Sequence, residues 1–381
     1  MAVGVFVVGM HRSGTSAAAA ALDALGFDVG APEQQMTADA ANPAGYYELQ
    51  EISDLNDEIL ASLGGAWDCP PQLLAGWELE PGMTPYYRRA ASIVGRRLAE
   101  NRWLVKDPRT APLLPLWRRA VLDRCAAILI VRDPMEVAWS LALRNGMPIL
   151  TGLALWSDYN RRALVGLSGL PVHVCSYDEL VSSPLETITS IHASLTSWSE
   201  LPDDANIELA AARIQPELRR NTWPRDNAEA IEVPGEIERL AKFLAELTGA
   251  HGLFEPGHPP PSPWEEALLV ERRTGLVRLR TATSERDEHA REVESLGHQL
   301  RARNLEFDAL SETARAERDR LVRELEAVRA RLAEVEADLD EVQTRRRDAE
   351  KALRMSVRRL EARERSFPVR VARVFRRERR R

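Results

Sequence analysis

The chain has 381 residues, of which 44% are hydrophobic, and a formal net charge of −7. Length and composition indicate a globular protein with one large core or two modest domains. The acidic balance argues against nucleic-acid binding by the chain as a whole. The three cysteines, Cys69, Cys125 and Cys175, have neither the number nor the spacing of a disulfide framework or a zinc site. We therefore expect no metal ion and a reducing, cytoplasmic setting.

The first apolar run, residues 3–8, is short and lacks a preceding basic region, and no later stretch reaches ~18 apolar residues. Neither a signal peptide nor a membrane-spanning helix is therefore expected. The charge is nevertheless uneven, because residues 369–381 contain seven arginines and one glutamate. Such a basic tail suits the surface of an anionic membrane, and a solvated, disordered terminus is the alternative interpretation.

The most informative stretch is the loop between the first predicted strand, residues 3–8, and the first predicted helix, residues 16–25. The loop reads Gly9-Met10-His11-Arg12-Ser13-Gly14-Thr15-Ser16. A strand, a glycine-bounded turn and a helix start direct backbone N–H groups and the positive end of a helix dipole at one spot, which suits a phosphate or sulfate. The loop departs from the nucleotide-triphosphate signature because Thr15 stands where the lysine belongs. The guanidinium of Arg12 supplies the basic group instead.

This loop resembles the 5′-phosphosulfate loop of the sulfotransferases that use 3′-phosphoadenosine-5′-phosphosulfate (PAPS). That loop commonly reads Pro-Arg/Lys-Ser-Gly-Thr, whereas this chain has a histidine, His11, in place of the proline. The resemblance implies PAPS as the cosubstrate. It also implies that the loop holds the 5′-phosphosulfate through Arg12, Ser13, Gly14, Thr15 and Ser16.

A second element, Asn42-Pro43-Ala44-Gly45-Tyr46-Tyr47-Glu48, places turn residues before an aromatic pair and a carboxylate. It resembles the Asn-Pro-x-Gly-aromatic-aromatic-Glu element of bacterial sulfotransferases with this loop. The resemblance implies that Glu48 lies near the donor sulfate, where a carboxylate can take the proton from an attacking hydroxyl. An exposed turn glutamate is the alternative interpretation, and His11 is the rival for the role of base.

Residues 66–85 are rich in proline, glycine and tryptophan and show no periodicity. This composition predicts a loop. The loop either covers a cleft, where acceptor recognition often resides, or packs on the surface.

The next predicted strand, which starts at Trp103, ends in the sequence Lys106-Asp107-Pro108. The carboxyl ends of parallel strands face the ligand crevice, so Lys106 is expected beside the loop at residues 9–16. The Lys-Asp-Pro triplet resembles an element of tyrosylprotein and related sulfotransferases, whose lysine contacts the bridging oxygen of the donor. Carried over, Lys106 stabilises the charge that develops on the leaving phosphate.

A third apolar strand, residues 125–131, ends at Arg132, and Asp133-Pro134 opens the helix that follows. Arg132 and Ser140 are eight residues apart. This spacing resembles the family's 3′-phosphate motif, in which an arginine at the strand end and a serine on the next helix hold the phosphate. A surface arginine that caps a neighbouring helix is the alternative for Arg132.

The segment Val172 to Leu180 predicts another strand with a polar end and resembles the family's Tyr-Glu-Asp-Leu strand. By that resemblance Tyr177 packs beside the nucleotide, and a buried core tyrosine is the alternative. Arg219 or Arg220 could lie over the donor phosphates, although the family's glycine-rich loop is missing there. The scattered histidines His173, His192 and His251 share no metal-ligand spacing, and we interpret them as structural.

Five prolines within residues 256–263 end the globular part, because they extend neither a helix nor a sheet. Beyond them the composition turns to Arg, Glu, Ala and Leu. Apolar residues from Leu300 to Leu360 recur at steps of three and four, which predicts a coiled-coil seam and, most simply, a parallel homodimer. A single long helix carrying Glu–Arg pairs is the alternative.

The sequence thus predicts an α/β fold in which a parallel sheet carries a P-loop-like strand-loop-helix anion site, followed by a long α-helical coiled coil. The predicted domains are a sulfotransferase domain at 1–255, a proline-rich linker at 256–264, a coiled coil at 265–365 and a basic tail at 366–381. The tail would bring a cytoplasmic protein to the inner membrane surface.

The resemblance implies sulfuryl transfer from PAPS to a hydroxyl of a carbohydrate or glycolipid, with a protein tyrosine as the second choice of acceptor. In this reaction Glu48 or His11 is the base, Lys106 neutralises the leaving group, and Arg132 and Ser140 hold the 3′-phosphate. A P-loop kinase and a catalytically inactive coiled-coil scaffold are the competing interpretations.

Overall fold

The computed structural model describes residues 3–39, 42–97, 102–122, 125–198, 206–215, 233–257, 259–307 and 313–378. Along the Cα trace the chain divides into two compact units. Unit 1 contains residues 1–269 and 357–381, and unit 2 contains residues 270–356.

A five-stranded sheet forms the centre of unit 1. Its strands are β1 (Val3–Val8), β2 (Arg102–Lys106), β3 (Cys125–Val131), β4 (Val172–Ser176) and β5 (Gly249–His251). They lie in the order β2-β1-β3-β4-β5; the first four are parallel, and β5 pairs antiparallel with β4. The α/β fold with a parallel sheet is therefore confirmed, and only the short β5 was not predicted.

Helices connect the strands, and two long helices complete the described chain. In unit 1 they are α1 (Thr15–Ala24), α2 (Gln50–Ser62), α3 (Thr84–Arg97), α4 (Thr110–Val121), α5 (Pro134–Asn145), α6 (Ile149–Leu167), α7 (Tyr177–Ser182), α8 (Pro184–Trp198), α9 (Ile207–Ala212) and α10 (Gly235–Glu246). The long helices are α11 (Pro263–Phe307) and α12 (Thr313–Glu378). Helix α11 thus begins within the predicted proline-rich linker.

The segment predicted as one strand with a polar end, Val172 to Leu180, contains a strand and a helix. β4 ends at Ser176, whose side chain accepts a hydrogen bond of 3.2 Å from the backbone N–H of Asp178. This cap starts α7 directly at Tyr177. The prediction was wrong for this stretch because an N-cap serine overrides the strand pattern.

Small residues bring α1 close to the sheet. Ala18, Ala19 and Ala21 are buried against a core that includes Val5 and Val7 of β1. On the other face, a Cβ at Gly4 would lie 1.9 Å from the fully buried ring of Trp103 on β2. The sheet is covered on both faces, which explains why its strands are continuous apolar runs.

The register of the sheet brings the carboxyl ends of its parallel strands to one edge. Val7 on β1 pairs with Lys106 on β2, and Val131 on β3 pairs with Ser176 on β4. The loop after β1, the last residue of β2, and the residues that follow β3 and β4 therefore share one side of unit 1.

In unit 2, α11 and α12 run antiparallel. A Cβ at Gly275 would lie 3.4 Å from Arg346 Cδ, and Glu288 and Glu334 line the same groove. Early residues of α11 thus face late residues of α12. Two members of the predicted seam, Leu321 and Val328, are buried. The seam was predicted on one helix, whereas the structure provides a partner helix within the chain, so the seam by itself does not require a second copy.

Among the described residues, no helix combines the length and the apolarity needed to cross a bilayer.

Candidate active site

The loop after β1 begins the site. Arg12 and Gly14 have φ values of 70° and 94°, in the left-handed region, and this double reversal turns the chain directly into α1. The first N–H groups of a helix lack an intrahelical acceptor, and the residues at this helix start, Thr15 and Ser16, line a cleft. The start of α1 therefore faces the cleft at the position where the sequence predicts an anion-binding helix terminus.

Gly14 also allows close packing against Tyr177. A Cβ at Gly14 would lie 2.1 Å from the Tyr177 ring. Tyr177 is buried, and Arg132 Cζ lies 4.5 Å above the centre of its ring. Tyr177 thus joins the loop to the end of β3.

Lys106 forms the charged centre of the cleft. Its Nζ donates to Ser16 Oγ at 3.0 Å, to the backbone oxygen of Tyr46 at 3.0 Å and to Glu48 Oε1 at 2.5 Å. The side chains of Lys106 and Glu48 are only 2% and 6% exposed. The lysine, the carboxylate and the loop hydroxyl that were singled out separately in the sequence therefore meet at one atom.

The environment of Glu48 is that of a carboxylate that can exchange a proton. Burial raises its pKa above the usual range, the charge of Lys106 opposes this, and the neighbouring Asp107 adds to it. The desolvated carboxylate is thus a stronger base than one in water, while the lysine keeps it available in the charged form. Glu48 is buried, so the exposed turn glutamate is excluded.

The Asn-Pro-x-Gly element has a clear structural role. The Asn42 side chain donates to Ser16 Oγ at 3.1 Å and to the backbone oxygen of Gly45 at 2.6 Å. It therefore closes its own turn and ties that turn to the start of α1. The left-handed Gly45 (φ 92°) and Tyr47 (φ 56°) then direct Glu48 inward to Lys106.

Arg12, Arg132 and Ser140 form a second cluster. Arg12 Nε donates to Ser140 Oγ at 2.8 Å, and Arg132 Nη1 donates to the backbone oxygen of Arg12 at 2.9 Å. Burial and the neighbouring charges of Arg144 and Arg132 lower the pKa of Arg12. Cations drawn together against their mutual repulsion provide a site for a polyanion. Arg12 reaches the Ser140 hydroxyl, so its guanidinium lies with the predicted 3′-phosphate pair.

Glu136 was not identified from the sequence. It lies one helical turn after Arg132, and its Oε2 accepts from both Arg132 Nε and Nη2 at 2.9 Å. Asp133 caps α5 by accepting from the Glu136 backbone N–H at 3.0 Å. The spacing of four residues was a signal that could have identified this pair.

His11 lies at the side of the cleft with its ring packed on aromatic side chains. The ring centres of Trp67 and Tyr159 are 4.6 Å and 5.8 Å from that of His11. Burial, and then the positive charges of Arg109 and Lys106, hold the pKa of His11 well below its usual range. Its Nε2 is buried and has no hydrogen-bond partner within the described part of the chain. His11 is therefore a neutral imidazole at physiological pH.

The proline- and tryptophan-rich loop reaches the site through Trp67. Its backbone oxygen accepts from the Tyr159 hydroxyl at 2.7 Å, and Arg162 donates to the backbone oxygen of Pro71 at 2.8 Å. The loop is therefore fixed to α6 beside His11, which lines the cleft.

The cleft is partly open to solvent and has an accessible volume of about 140 Å³. Its lining includes most of the residues predicted for the site: His11, Arg12, Gly14, Thr15, Ser16, Glu48, Lys106, Arg132 and Tyr177. Of the other two, Ser140 contacts Arg12, and Ser13 is buried with its hydroxyl unpartnered among the described residues. Arg213 and Gln215 also line the cleft, whereas the predicted Arg219 and Arg220 lie outside the described residues.

No known family model matches the chain, and no curated protein matches it. Solved structures similar to it include two sulfotransferase domains. The sulfotransferase domain of the Synechococcus PCC 7002 olefin synthase is 19% identical, with a TM-score of 0.38, and the match covers 64% of this chain and 95% of that domain. The sulfotransferase domain of the curacin biosynthetic pathway is 14% identical, with a TM-score of 0.36, and the match covers 64% and 98%.

Proposed function

We propose that this protein is a PAPS-dependent sulfotransferase that transfers the sulfuryl group to a hydroxyl of a carbohydrate or glycolipid. The observation that supports the proposal most strongly is the meeting of Ser16, Glu48 and Lys106 at the Lys106 ammonium. A loop hydroxyl, a cation and a carboxylate in one buried cluster supply an anion contact, a stabiliser for the leaving group and a base.

In the proposed reaction the acceptor hydroxyl attacks the sulfur of PAPS. A new bond forms between the acceptor oxygen and sulfur, and the bond from sulfur to the bridging oxygen breaks. The hydroxyl proton passes to Glu48, and Lys106 stabilises the negative charge on the bridging oxygen of the departing 3′-phosphoadenosine-5′-phosphate (PAP). The products are a sulfate ester and PAP.

The residues around the loop suit this donor. The buried hydroxyl of Ser13, unpartnered among the described residues, can serve the 5′-phosphosulfate. Gly14 lets the loop pack directly on Tyr177, because a side chain there would collide with the ring. Arg132 and Ser140, together with Arg12, provide charge-assisted contacts for the 3′-phosphate.

Glu48 is a better candidate than His11 for the base. Four positively charged side chains disfavour the protonated imidazole of His11: Arg109, Lys106, Arg144 and Arg12. Glu48 is the buried carboxylate in direct contact with Lys106. We therefore assign proton abstraction to Glu48 and give His11 a role in shaping the acceptor side of the cleft.

A P-loop kinase is the competing enzyme. Its loop lysine contacts the β- and γ-phosphates of ATP, and here Thr15 occupies that position. Calorimetric titration with PAP, and separately with ATP and Mg²⁺, distinguishes the two. Tight binding of PAP is expected, and tight binding of ATP alone would replace the proposal with the kinase.

An inactive scaffold that carries long helices is the second competitor. Sulfur-labelled PAPS should be incubated with the protein and with polar lipids and glycans from the cells that produce it. Transfer of the label to an extracted molecule is expected, whereas binding of neither PAP nor PAPS by the folded protein would favour the scaffold. The carbohydrate or glycolipid acceptor rests on the resemblance of residues 42–48, and labelled tyrosine peptides provide the test of the second choice.

We also propose that the protein self-associates and contacts an anionic membrane surface. Paired basic tails would bind an anionic surface more strongly than one, because each arginine near such a surface contributes about 1 kcal/mol. Flotation with anionic liposomes should be compared between the full chain and one that ends at Arg365. Equal flotation, or a monomer by light scattering, would exclude a dimer held at the inner membrane surface.

A further inference from the structure

Glu48 lies between two cations from the same short segment of chain. Its Oε1 is 2.5 Å from Lys106 Nζ, and its Oε2 is 3.6 Å from Arg109 Nη1. None of the sequence motifs assigns a role to Arg109. The side chain of Arg109 is only 12% exposed, so its charge acts on Glu48 with little screening by solvent.

The two cations are held in different ways. Lys106 has one carboxylate partner, Glu48, and two neutral acceptors on the walls of the cleft, Ser16 and the backbone of Tyr46. Arg109 Nη1 contacts both oxygens of Asp107 at 3.2 Å and 3.0 Å, and its Nε is 2.8 Å from Asp57 Oδ1. Lys106 can therefore leave its acceptors for a new anion in the cleft, while two carboxylates restrain Arg109.

Asp107 makes this restraint rigid. It is fully buried, accepts from the Ser53 hydroxyl at 2.6 Å and accepts from the backbone N–H of Arg109 at 2.7 Å. A buried carboxylate with three donors has its orientation fixed. The fixed carboxylate in turn fixes the arginine.

We propose that Arg109 is a positioning residue that holds Glu48 oriented and ionised when Lys106 moves to the leaving group of the donor. The proposal rests on the proposed function, because it takes Glu48 as the base. Lys106 cannot neutralise the bridging oxygen and hold the Glu48 carboxylate equally well. With Arg109 as a second, fixed cation, Lys106 can neutralise the bridging oxygen while Arg109 holds the Glu48 carboxylate.

The charges around Glu48 agree with this division. Burial raises the pKa of Glu48, Asp107 raises it further, and Lys106 and Arg109 both lower it. Once Lys106 has turned to the donor, the charged neighbours that remain beside Glu48 are the anion Asp107 and the cation Arg109. Burial opposes the charge on Arg109 itself, but Asp107, Asp57 and Glu48 raise its pKa, so it stays charged throughout.

The test measures the pKa of Glu48 directly, by carbon NMR of protein carrying isotope-labelled glutamate carboxyl groups. The Glu48 signal is assigned by its loss in Glu48→Gln. In Arg109→Ala we expect this pKa to rise by about one pH unit, the effect of removing one opposite charge at this range, and we expect PAP affinity to be unchanged. With a sulfate acceptor in hand, the acid limb of kcat/KM should move to higher pH by the same amount.

Arg119→Ala is the matched control. Arg119 is exposed on α4, where its guanidinium lies 4.2 Å above the ring of Tyr87, and its loss should leave the Glu48 pKa unchanged. Arg109→Lys provides a second variant if Arg109→Ala does not fold. The lysine keeps the positive charge but lacks the forked guanidinium that contacts both Asp107 and Asp57. We therefore expect a smaller rise in the pKa of Glu48, together with a fall in kcat.

An unchanged Glu48 pKa in the folded Arg109 variants, with PAP binding intact, would overturn the role of Arg109 and leave the proposed function in place. Failure of the wild-type protein to bind PAP would overturn the proposed function, and this proposal with it. The NMR titration and the calorimetry therefore separate the two failures.

Discussion

Arg12 donates from Nε to the hydroxyl of Ser140 at 2.8 Å, across 128 residues of chain. The contact joins the loop after β1 to the middle of α5, two elements that the sequence analysis assigned to different phosphates of the donor. Arg132 reaches the same loop through the backbone oxygen of Arg12. The proposed 5′ and 3′ subsites thus share one hydrogen-bonded network.

Arg132→Ala should reduce the preference for a 3′-phosphorylated nucleotide. Loss of a charge-assisted arginine–phosphate contact lowers the affinity for PAP roughly tenfold to a hundredfold, whereas the affinity for adenosine 5′-phosphate changes little. Calorimetric titration of both nucleotides measures the ratio. Arg119→Ala is the control, and an unaltered ratio in Arg132→Ala would mean that the 3′-phosphate is recognised elsewhere.

Lys106→Ala should lower the free energy of unfolding by about 3 kcal/mol, because it leaves the buried Glu48 carboxylate without its main partner. The double variant Lys106→Ala, Glu48→Gln should recover part of this loss, since the neutral amide needs no cation. Urea unfolding of the two single variants and the double variant gives the coupling energy. Additive losses would show that the pair is not energetically coupled.

In Glu48→Gln, turnover should fall roughly a hundredfold or more with PAP affinity unchanged, the usual effect of losing a general base. His11→Ala should retain most of the activity, because burial and the surrounding cations lower the pKa of His11 and make its imidazole a poor proton acceptor. Rates of label transfer from PAPS measure both. Loss of activity in His11→Ala together with its retention in Glu48→Gln would exchange the two roles.

Gly14→Ala should abolish tight PAP binding, because the new methyl group would collide with Tyr177 as well as strain a left-handed backbone. Gly76→Ala is a matched control: its φ of 79° is also left-handed, but a Cβ there has no neighbour within 4 Å. Both variants should lose about 1 kcal/mol of stability from backbone strain. The difference in PAP affinity between the two variants, measured by calorimetry, then gives the effect of the collision with Tyr177. Equal affinities would show that the collision does not affect the cleft.

Stability should fall as the pH drops from about 6.5 to 4. His173 is buried on β4, its ring nitrogen Nδ1 lies 2.8 Å from Ser194 Oγ, and burial lowers its pKa to about 4. The unfolded chain then binds a proton that the folded chain does not, so stability is full above pH 6.5 and lost as the pH falls, by up to about 3 kcal/mol. Unfolding at several pH values should show a shallower fall in His173→Gln, whereas His298→Gln on α11 should leave the fall unchanged.

The strand-end positions could be predicted because parallel strands have a simple pattern. Each apolar run ends at a polar residue, so the sequence alone places Lys106 and Arg132 at the carboxyl ends of their strands. The parallel order then brings both to one edge. The pairing of Lys106 with Glu48 needed in addition the turn that Asn42 closes, and only the resemblance to a known family suggested it.

Other features had no signal that pattern counting could use. Helix α4 contains Pro112 and Pro115, residues that argue against a helix, yet Pro112 lies in the first turn, where its missing N–H costs nothing. Arg109 and Asp57 meet across two elements, and such a contact depends on side-chain direction and not on spacing. Helix α6 starts at Ile149, and its first two turns, residues 149–155, are mostly apolar and show no helical period.

Because α11 and α12 run antiparallel, unit 2 is a segment that could be removed and its two flanking ends rejoined. Helix α11, with 45 residues, corresponds to about 70 Å of rise. Because Glu271 lies beside Glu350, the chain enters and leaves unit 2 at the same end of the helix pair. A short linker from Leu269 to Val357 could therefore replace residues 270–356 without stretching the backbone, and the shortened chain would still carry every residue of the cleft.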